Sequence, residues 1–200
     1  MDRFSKDIQG DDEAIIMACP EFAGVHLASK LSKHYKKAAD LCCGIGMTGI
    51  MLAKKMKFVH GLELNADRLM NAEYNAVLYG VESKVSFMKA DVTNPTPLKY
   101  MNVDVAVLDP DWGNAHNGWD GYTPKLECTK PNLRQMFELT KEHLTENIVA
   151  RIPKTFTPEL MSELGDCTIE NIIWDGRVRF KIAYFLDVME PHKVYDIEFP

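Results

Sequence analysis

Between Lys37 and Glu63 the chain runs from a short apolar stretch through a glycine-rich turn into a helix-like segment, then into a second apolar run that ends on a carboxylate. The turn is Asp40-Leu41-Cys42-Cys43-Gly44-Ile45-Gly46-Met47-Thr48-Gly49. Lys37-Ala38-Ala39 precedes it, Ile50-Met51-Leu52-Ala53 follows it, and Phe58-Val59-His60-Gly61-Leu62 closes at Glu63. Glycines permit a tight strand-to-helix turn and let the backbone approach a ligand closely. A G-x-G-x-x-G match alone is weak, and it gains weight from Glu63, which stands where a ribose-binding acid is expected.

The rest of the chain keeps the alternation. Pro20 opens a helix carrying Phe22, Val25, Ala28, Leu31 and Tyr35 at helical spacing. Asn65 caps another through Leu69, Ala72, Ala76 and Val77, which stops at Gly80. Strand-like runs follow at Val85-Ser86-Phe87-Met88, Val103-Asp104-Val105-Ala106-Val107 and Asn147-Ile148-Val149-Ala150-Arg151-Ile152, with a helix from Leu133 to Leu144 before the last of these. Thr157, Pro158 and Gly165 bracket a short helix. Asp175-Gly176, between Thr168–Trp174 and Phe180–Phe185, is a strong hairpin signal. The count predicts an α/β, Rossmann-like fold: a seven-stranded, mainly parallel sheet with a reversed terminal strand and helices on both faces. An N-terminal helical segment, residues 1–36, would precede a core of residues 37–200, together one compact domain.

Ligands of such sheets bind at the carboxyl ends of the strands, where Asp40, Glu63, Asp91 and Asp109 fall. Nicotinamide dinucleotides and S-adenosylmethionine both use a glycine turn with a following acid. Asp40 favours the second, because it could hold the donor's ammonium and would repel a pyrophosphate. Asp91 could reach the adenine amino group. The donor set expected is Asp40, Gly44, Gly46, Glu63 and Asp91.

Leu108-Asp109-Pro110-Asp111-Trp112-Gly113 supplies the other half of a reaction. The lone pair of an aromatic amine is delocalised into its ring, so a site that methylates it must hold the base flat and accept hydrogen bonds from the NH₂. Asp109 and the Pro110 carbonyl can accept, and Trp112 can stack. Alone, the fragment equally suits a buried strand turning at a proline; the donor turn upstream tips the balance. The segment Gly113-Asn114-Ala115-His116-Asn117-Gly118-Trp119-Asp120-Gly121-Tyr122 is either a loop that folds over a planar substrate or an ordinary surface loop.

Composition narrows the class. The net charge of −6 argues against gripping long nucleic acid by charge alone. Two groups of cations remain, Lys30, Lys33, Lys36 and Lys37, and Arg151, Lys154, Arg177, Arg179 and Lys181, readable as phosphate contacts or as a solvated surface. Five cysteines without a C-x-x-C pair imply a reducing compartment and no structural zinc, and the histidines lack ligand spacing, so no metal is expected. No run reaches membrane-spanning length and the start lacks a secretory signal, which predicts a soluble, intracellular, cytoplasmic protein; a monomer is also expected.

Nearly end to end, the chain resembles the trimethylguanosine synthase family, the RNA cap guanine-N2 methyltransferases. The likeness runs through Arg3-Phe4 to Pro20-Glu21, Asp40 to Gly46, Asn71 to Gly80, Asp109 to Gly113, Asn147 to Lys154 and Ile182 to Phe185. The resemblance implies S-adenosylmethionine as donor, Glu63 as its ligand and Trp112 as the indole that stacks on guanine; together with the Asp109 and Pro110 acceptors read from the segment itself, this makes Asp109, Pro110 and Trp112 the catalytic residues expected. Trp112, Asp111 and Lys154 would meet the substrate, an RNA or a guanosine nucleotide. Asp111 stands where the family has a second proline, Asp109 where cap enzymes often have serine, and Gly113-Asn114-Ala115 where they have Gly-Gly-Pro. The rival readings are N-methylation of a protein amide or small molecule, and a non-catalytic donor-binding module.

Overall fold

The computed structural model describes residues 2–113 and 125–200. Helices α1 (Asp12–Met17) and α2 (Glu21–Leu31) lead into β1 (Lys37–Leu41), α3 (Met47–Ala53), β2 (Phe58–Glu63), α4 (Ala66–Tyr79) and β3 (Val85–Lys89). The chain continues as α5 (Pro95–Lys99), β4 (Val105–Leu108), α6 (Leu133–His143), β5 (Ile148–Pro153) and α7 (Pro158–Ser162). It ends in β6 (Thr168–Trp174), β7 (Arg177–Phe185) and β8 (Val194–Phe199). The expected stops are in place: the Asn65 side chain accepts from the amides of Asp67 and Arg68, and Gly80 closes α4 in the left-handed conformation.

The strands form one sheet in the order β3-β2-β1-β4-β5-β7-β6-β8. Only β7 is reversed, antiparallel to both β5 and β6. The mainly parallel sheet with one reversed strand is as expected, with one addition. β8 pairs in parallel with β6 at the sheet edge, making eight strands where seven were read. Its signal is the alternation of Tyr195, Ile197 and Phe199 with Asp196 and Glu198, and Ile197 and Phe199 pack onto the core.

Each strand feeds two cores, because successive side chains leave opposite faces. Ala38, Val105, Val107 and Val149 join α1 to α4 on one side; Ala39, Ala106, Leu108, Ile148 and Ala150 join α5 to α7 on the other. Strands buried on both faces read as unbroken apolar runs. Every residue of α3 is buried, and a Cβ at Gly24 of α2 would stand 2.8 Å from Met51 Cγ, so only glycine lets these helices approach so closely. Asp175 (φ 50°) and Gly176 (φ 66°) make the two-residue turn between β6 and β7, where Trp174 faces Arg177. No helix among the described residues is long and apolar enough to cross a membrane.

Candidate active site

The carboxyl ends of β1, β2 and β4 open into a cavity of about 840 Å³ walled by both expected motifs. In its donor half the chain turns sharply through Cys42 (φ 69°), Gly44 (φ 54°) and Gly46 (φ 85°) before α3 begins; Cys42 and Gly44 line the cavity, whereas Gly46, expected in the donor set, packs behind it against Ala72 and Phe87. Glu63 fixes that turn. Its Oε2 accepts from the Gly44 amide at 2.9 Å, and its Oε1 accepts from the amides of Leu64 at 2.8 Å and Asn65 at 2.9 Å. A carboxylate offers about four lone-pair sites, so three backbone bonds leave acceptor capacity for ribose hydroxyls. Asp91 also lines the cavity, and its Oδ1 accepts from the Thr93 amide (2.8 Å) and hydroxyl (2.6 Å), which hold its carboxyl below the usual range.

Asp40 stands one layer deeper than its sequence position suggested. It is fully buried beneath the turn, with Oδ2 accepting from the Gly49 amide at 2.7 Å and Oδ1 buried without a partner. Burial, then the nearby Asp109 charge, pushes its carboxyl up to about 7. A buried carboxyl with an orphaned oxygen under a glycine turn is suited to balance a cation placed above it.

The acceptor half is organised by a residue whose role the sequence reading missed. Arg151, grouped there with exposed cations, is nearly buried, its Nε donating to Asp109 Oδ1 at 2.8 Å. Its Nη2 donates to the Met17 carbonyl at 2.6 Å, and its guanidinium lies 4.8 Å from the Trp112 ring centre and 5.3 Å from that of Phe180. Trp112 in turn donates from Nε1 to the Arg151 carbonyl at 3.1 Å. The signal was register: Leu108 pairs with Ala150, so the residue after each strand position brings Asp109 beside Arg151. Burial raises the Asp109 carboxyl, with the guanidinium opposing it.

Pro110, Asp111, Trp112 and Lys154 all reach the cavity wall. Asp111 also caps its own turn, Oδ1 accepting from the Gly113 amide at 2.9 Å, while its backbone exchanges two 2.8 Å hydrogen bonds with Lys130. Arg177 and Arg179 line the same wall, whereas Lys181 turns away and donates to the Phe156 carbonyl at 2.7 Å. Arg3, read only as part of the resemblance, holds the carbonyls of Ile16 (3.0 Å) and Ala18 (2.6 Å) and so seats Cys19 and Pro20 against the cavity. The glycine- and aromatic-rich segment, read either as a loop over the substrate or as an ordinary surface loop, lies, from 114 on, outside the described residues. Among the described residues no group of three or more His, Cys, Asp or Glu could hold a metal ion.

Residues 35–187 match the family model described as RNA cap guanine-N2 methyltransferase. The chain belongs to that family. S-adenosylmethionine is the family's methyl donor, and the open backbone at Gly44 and the Glu63 carboxylate on the cavity wall fit a ribose-bearing ligand, with the Asp40 carboxyl buried behind them. An uncharacterised RNA methyltransferase of Protochlamydia amoebophila is 35% identical over 142 residues, covering 66% of this chain and 29% of that protein. One from Aquifex aeolicus is 42% identical over 85 residues, covering 40% of this chain and 19% of its own length. The chain thus spans less than a third of either relative. In fold it is similar to a candidate methyltransferase of Porphyromonas gingivalis (TM-score 0.75, 12% identity, covering 94% of this chain and 47% of that one). It is also similar to the tRNA (uracil-54, C5)-methyltransferase of Pyrococcus abyssi, solved with S-adenosyl-L-homocysteine (TM-score 0.53, 18% identity, 83% and 38%). The Rossmann-like methyltransferase fold is therefore shared widely.

Proposed function

We propose that this member of the family transfers a methyl group from S-adenosylmethionine to the exocyclic N2 amine of guanine in RNA. The observation that carries the reading is the Asp109-Pro110-Asp111-Trp112 turn at the end of β4, which shares one cavity with the Glu63-fixed donor turn. Bound there, the donor supplies a methyl group on a sulfonium, already a good electrophile. What remains for the protein is positioning, an effect with a ceiling of about 7–11 kcal/mol. Trp112 holds the base flat, and Asp109 and the Pro110 carbonyl accept from the NH₂ and aim its nitrogen at the methyl. Once methylated, the nitrogen sheds a proton readily, so Asp109 orients the amine without acting as a strong base.

The cysteines separate this reading from carbon methylation of uracil, the reaction in the name of the Pyrococcus abyssi enzyme. Uracil C5 becomes nucleophilic after a protein nucleophile adds to the ring, which calls for a thiolate. Cys19, Cys42 and Cys43 line the cavity, but burial pushes each thiol above its usual range, with Glu63, Asp109 and Asp40 adding to the shift around the turn. A thiol held in the neutral form is a weaker nucleophile than a thiolate, which favours the amine reading for Cys19, Cys43 and the half-buried Cys42 alike.

Inosine provides the test, because it lacks only the N2 amine. Label from methyl-tritiated S-adenosylmethionine is expected in a guanosine-containing oligoribonucleotide and not in its inosine counterpart. Equal labelling of the two would exclude N2, and label in protein or small-molecule fractions alone would select the amide or small-molecule reading.

A further inference from the structure

The cavity is electrically two-sided. Glu63 and Asp91 mark its donor half beside Arg68, which is paired with Asp11 and Glu13, while Lys130, Lys154, Arg177 and Arg179 outnumber the Asp111 carboxylate around its acceptor mouth, in a chain whose net charge is −6. Five of the six arginines hold a carboxylate or a backbone carbonyl: Arg3, Arg68, Arg134, Arg151 and Arg179. Among the described residues Arg177 holds neither; it is exposed at the mouth, as are Lys130 and Lys154. Arg179 is bound only to its own hairpin, at 3.1 Å from the Trp174 carbonyl and 3.2 Å from Asp175 Oδ2, with its guanidinium 5.4 Å from the Trp174 ring centre. An exposed pair such as Arg179–Asp175 contributes little and is easily exchanged for a stronger anion.

The hairpin adjoins the acceptor. The Phe180 ring lies 6.2 Å from that of Trp112, and three residues of strand, about 10 Å, separate Phe180 from Arg177. That reach suits the neighbour of a target nucleotide better than the target's own base. A base drawn into the cavity must be unstacked, so its flanks pass the mouth as single strand. Single-stranded RNA is gripped by cations on its phosphates and by flat groups, arginine planes included, on its bases.

We infer that the β6–β7 hairpin is a grip for single-stranded RNA beside the target base. Arg177 and Lys154 take flanking phosphates, and Arg179, laid over Trp174, offers a planar cation to the adjacent base. The grip rests on the RNA reading above and adds to it the form of the acceptor, a strand in place of a free nucleotide.

The test is fluorescence anisotropy of a short 5′-labelled single-stranded oligoribonucleotide, titrated over a range of salt with S-adenosylhomocysteine present. Arg177→Gln and Lys154→Gln are each expected to weaken Kd several-fold whatever the sequence, and to lower the slope of log K against log salt by about 0.7. Binding of S-adenosylhomocysteine should stay at the parent value, and Arg134→Gln, outside the cavity, should change neither quantity. If the parent binds and methylates RNA while both variants keep its Kd and slope, the grip is refuted and the guanine reading stands. If the parent ignores RNA but methylates guanosine nucleotides, the grip and the RNA acceptor fall together and N2 chemistry survives. Polyglutamate binding as tightly as RNA would also overturn the grip, assigning these cations to an acidic protein.

Discussion

Arg151 Nε sits 2.8 Å from Asp109 Oδ1, joining residues 42 apart in the sequence into a nearly buried ion pair between the end of β4 and the body of β5. The same guanidinium underlies Trp112, so the carboxylate proposed to meet the amine and the indole proposed to stack on the base are set by one side chain. Removing one partner of a buried pair strands the other charge, a loss of about 3–5 kcal/mol. Arg151→Ala should therefore lose stability on that order in urea unfolding, and the Asp109→Asn, Arg151→Gln double variant should recover much of it. Additive losses would show that the pair carries no coupling.

Asp40 is expected to link donor binding to pH. Its carboxyl, at about 7 in the folded chain, lies above the unfolded value near 3.9, so its stability contribution is full below the unfolded value and is lost as pH rises through about 7. A cationic donor favours the ionised form. Binding at pH 6 should then release a proton, and affinity should climb as pH rises through about 7 and level off above it. Calorimetry in buffers of different ionisation heat measures the proton. Asp40→Asn, which keeps an acceptor for Gly49, should abolish the release; persistence of the release in that variant would assign it elsewhere.

Glu63 and Trp112 should separate in kinetics. Glu63 clamps the glycine turn and is proposed to bind the donor ribose, so Glu63→Gln should weaken S-adenosylmethionine binding by about 1–3 kcal/mol. Trp112→Ala should cut turnover far more than donor affinity, stacking on a base being worth about 1–3 kcal/mol. Donor calorimetry beside steady-state kinetics reads both. A Trp112→Ala protein that turns over at the parent rate would move the acceptor elsewhere.

Asp111 marks the departure from the family's second proline. Its amide donates to the Lys130 carbonyl at 2.8 Å, a bond proline lacks, so Asp111→Pro should destabilise by about 1 kcal/mol through that loss alone. Asp111→Asn retains the acceptor for Gly113 and should keep the parent's stability. If Asp111 repels phosphate from the cavity, Asp111→Asn should raise kcat/KM for phosphate-rich acceptors more than for guanosine in RNA. An unchanged ranking of substrates would leave Asp111 a turn residue only.

Much of this fold was legible because strand, turn and helix signals agreed along the chain. The Asn65 cap, the Gly80 stop and the Asp175-Gly176 turn are local, and local chemistry decided them. β8 escaped because its half-exposed alternation carries two carboxylates and resembles a solvated tail. At the site, the lining residues were legible from strand ends, but Arg151 was not: its partners lie on β4, in the N-terminal segment and on β7, and only the register brings them together. The depth of Asp40 was hidden for the same reason, since burial depends on what packs over the turn.

The most direct measurement is mass spectrometry of nucleosides from RNA incubated with the protein and deuterium-labelled S-adenosylmethionine. The expected result is label in N2-methylguanosine or its dimethyl form, reduced by Asp109→Ala and by Trp112→Ala. Label in 5-methyluridine, or in any nucleoside methylated away from guanine N2, would contradict it.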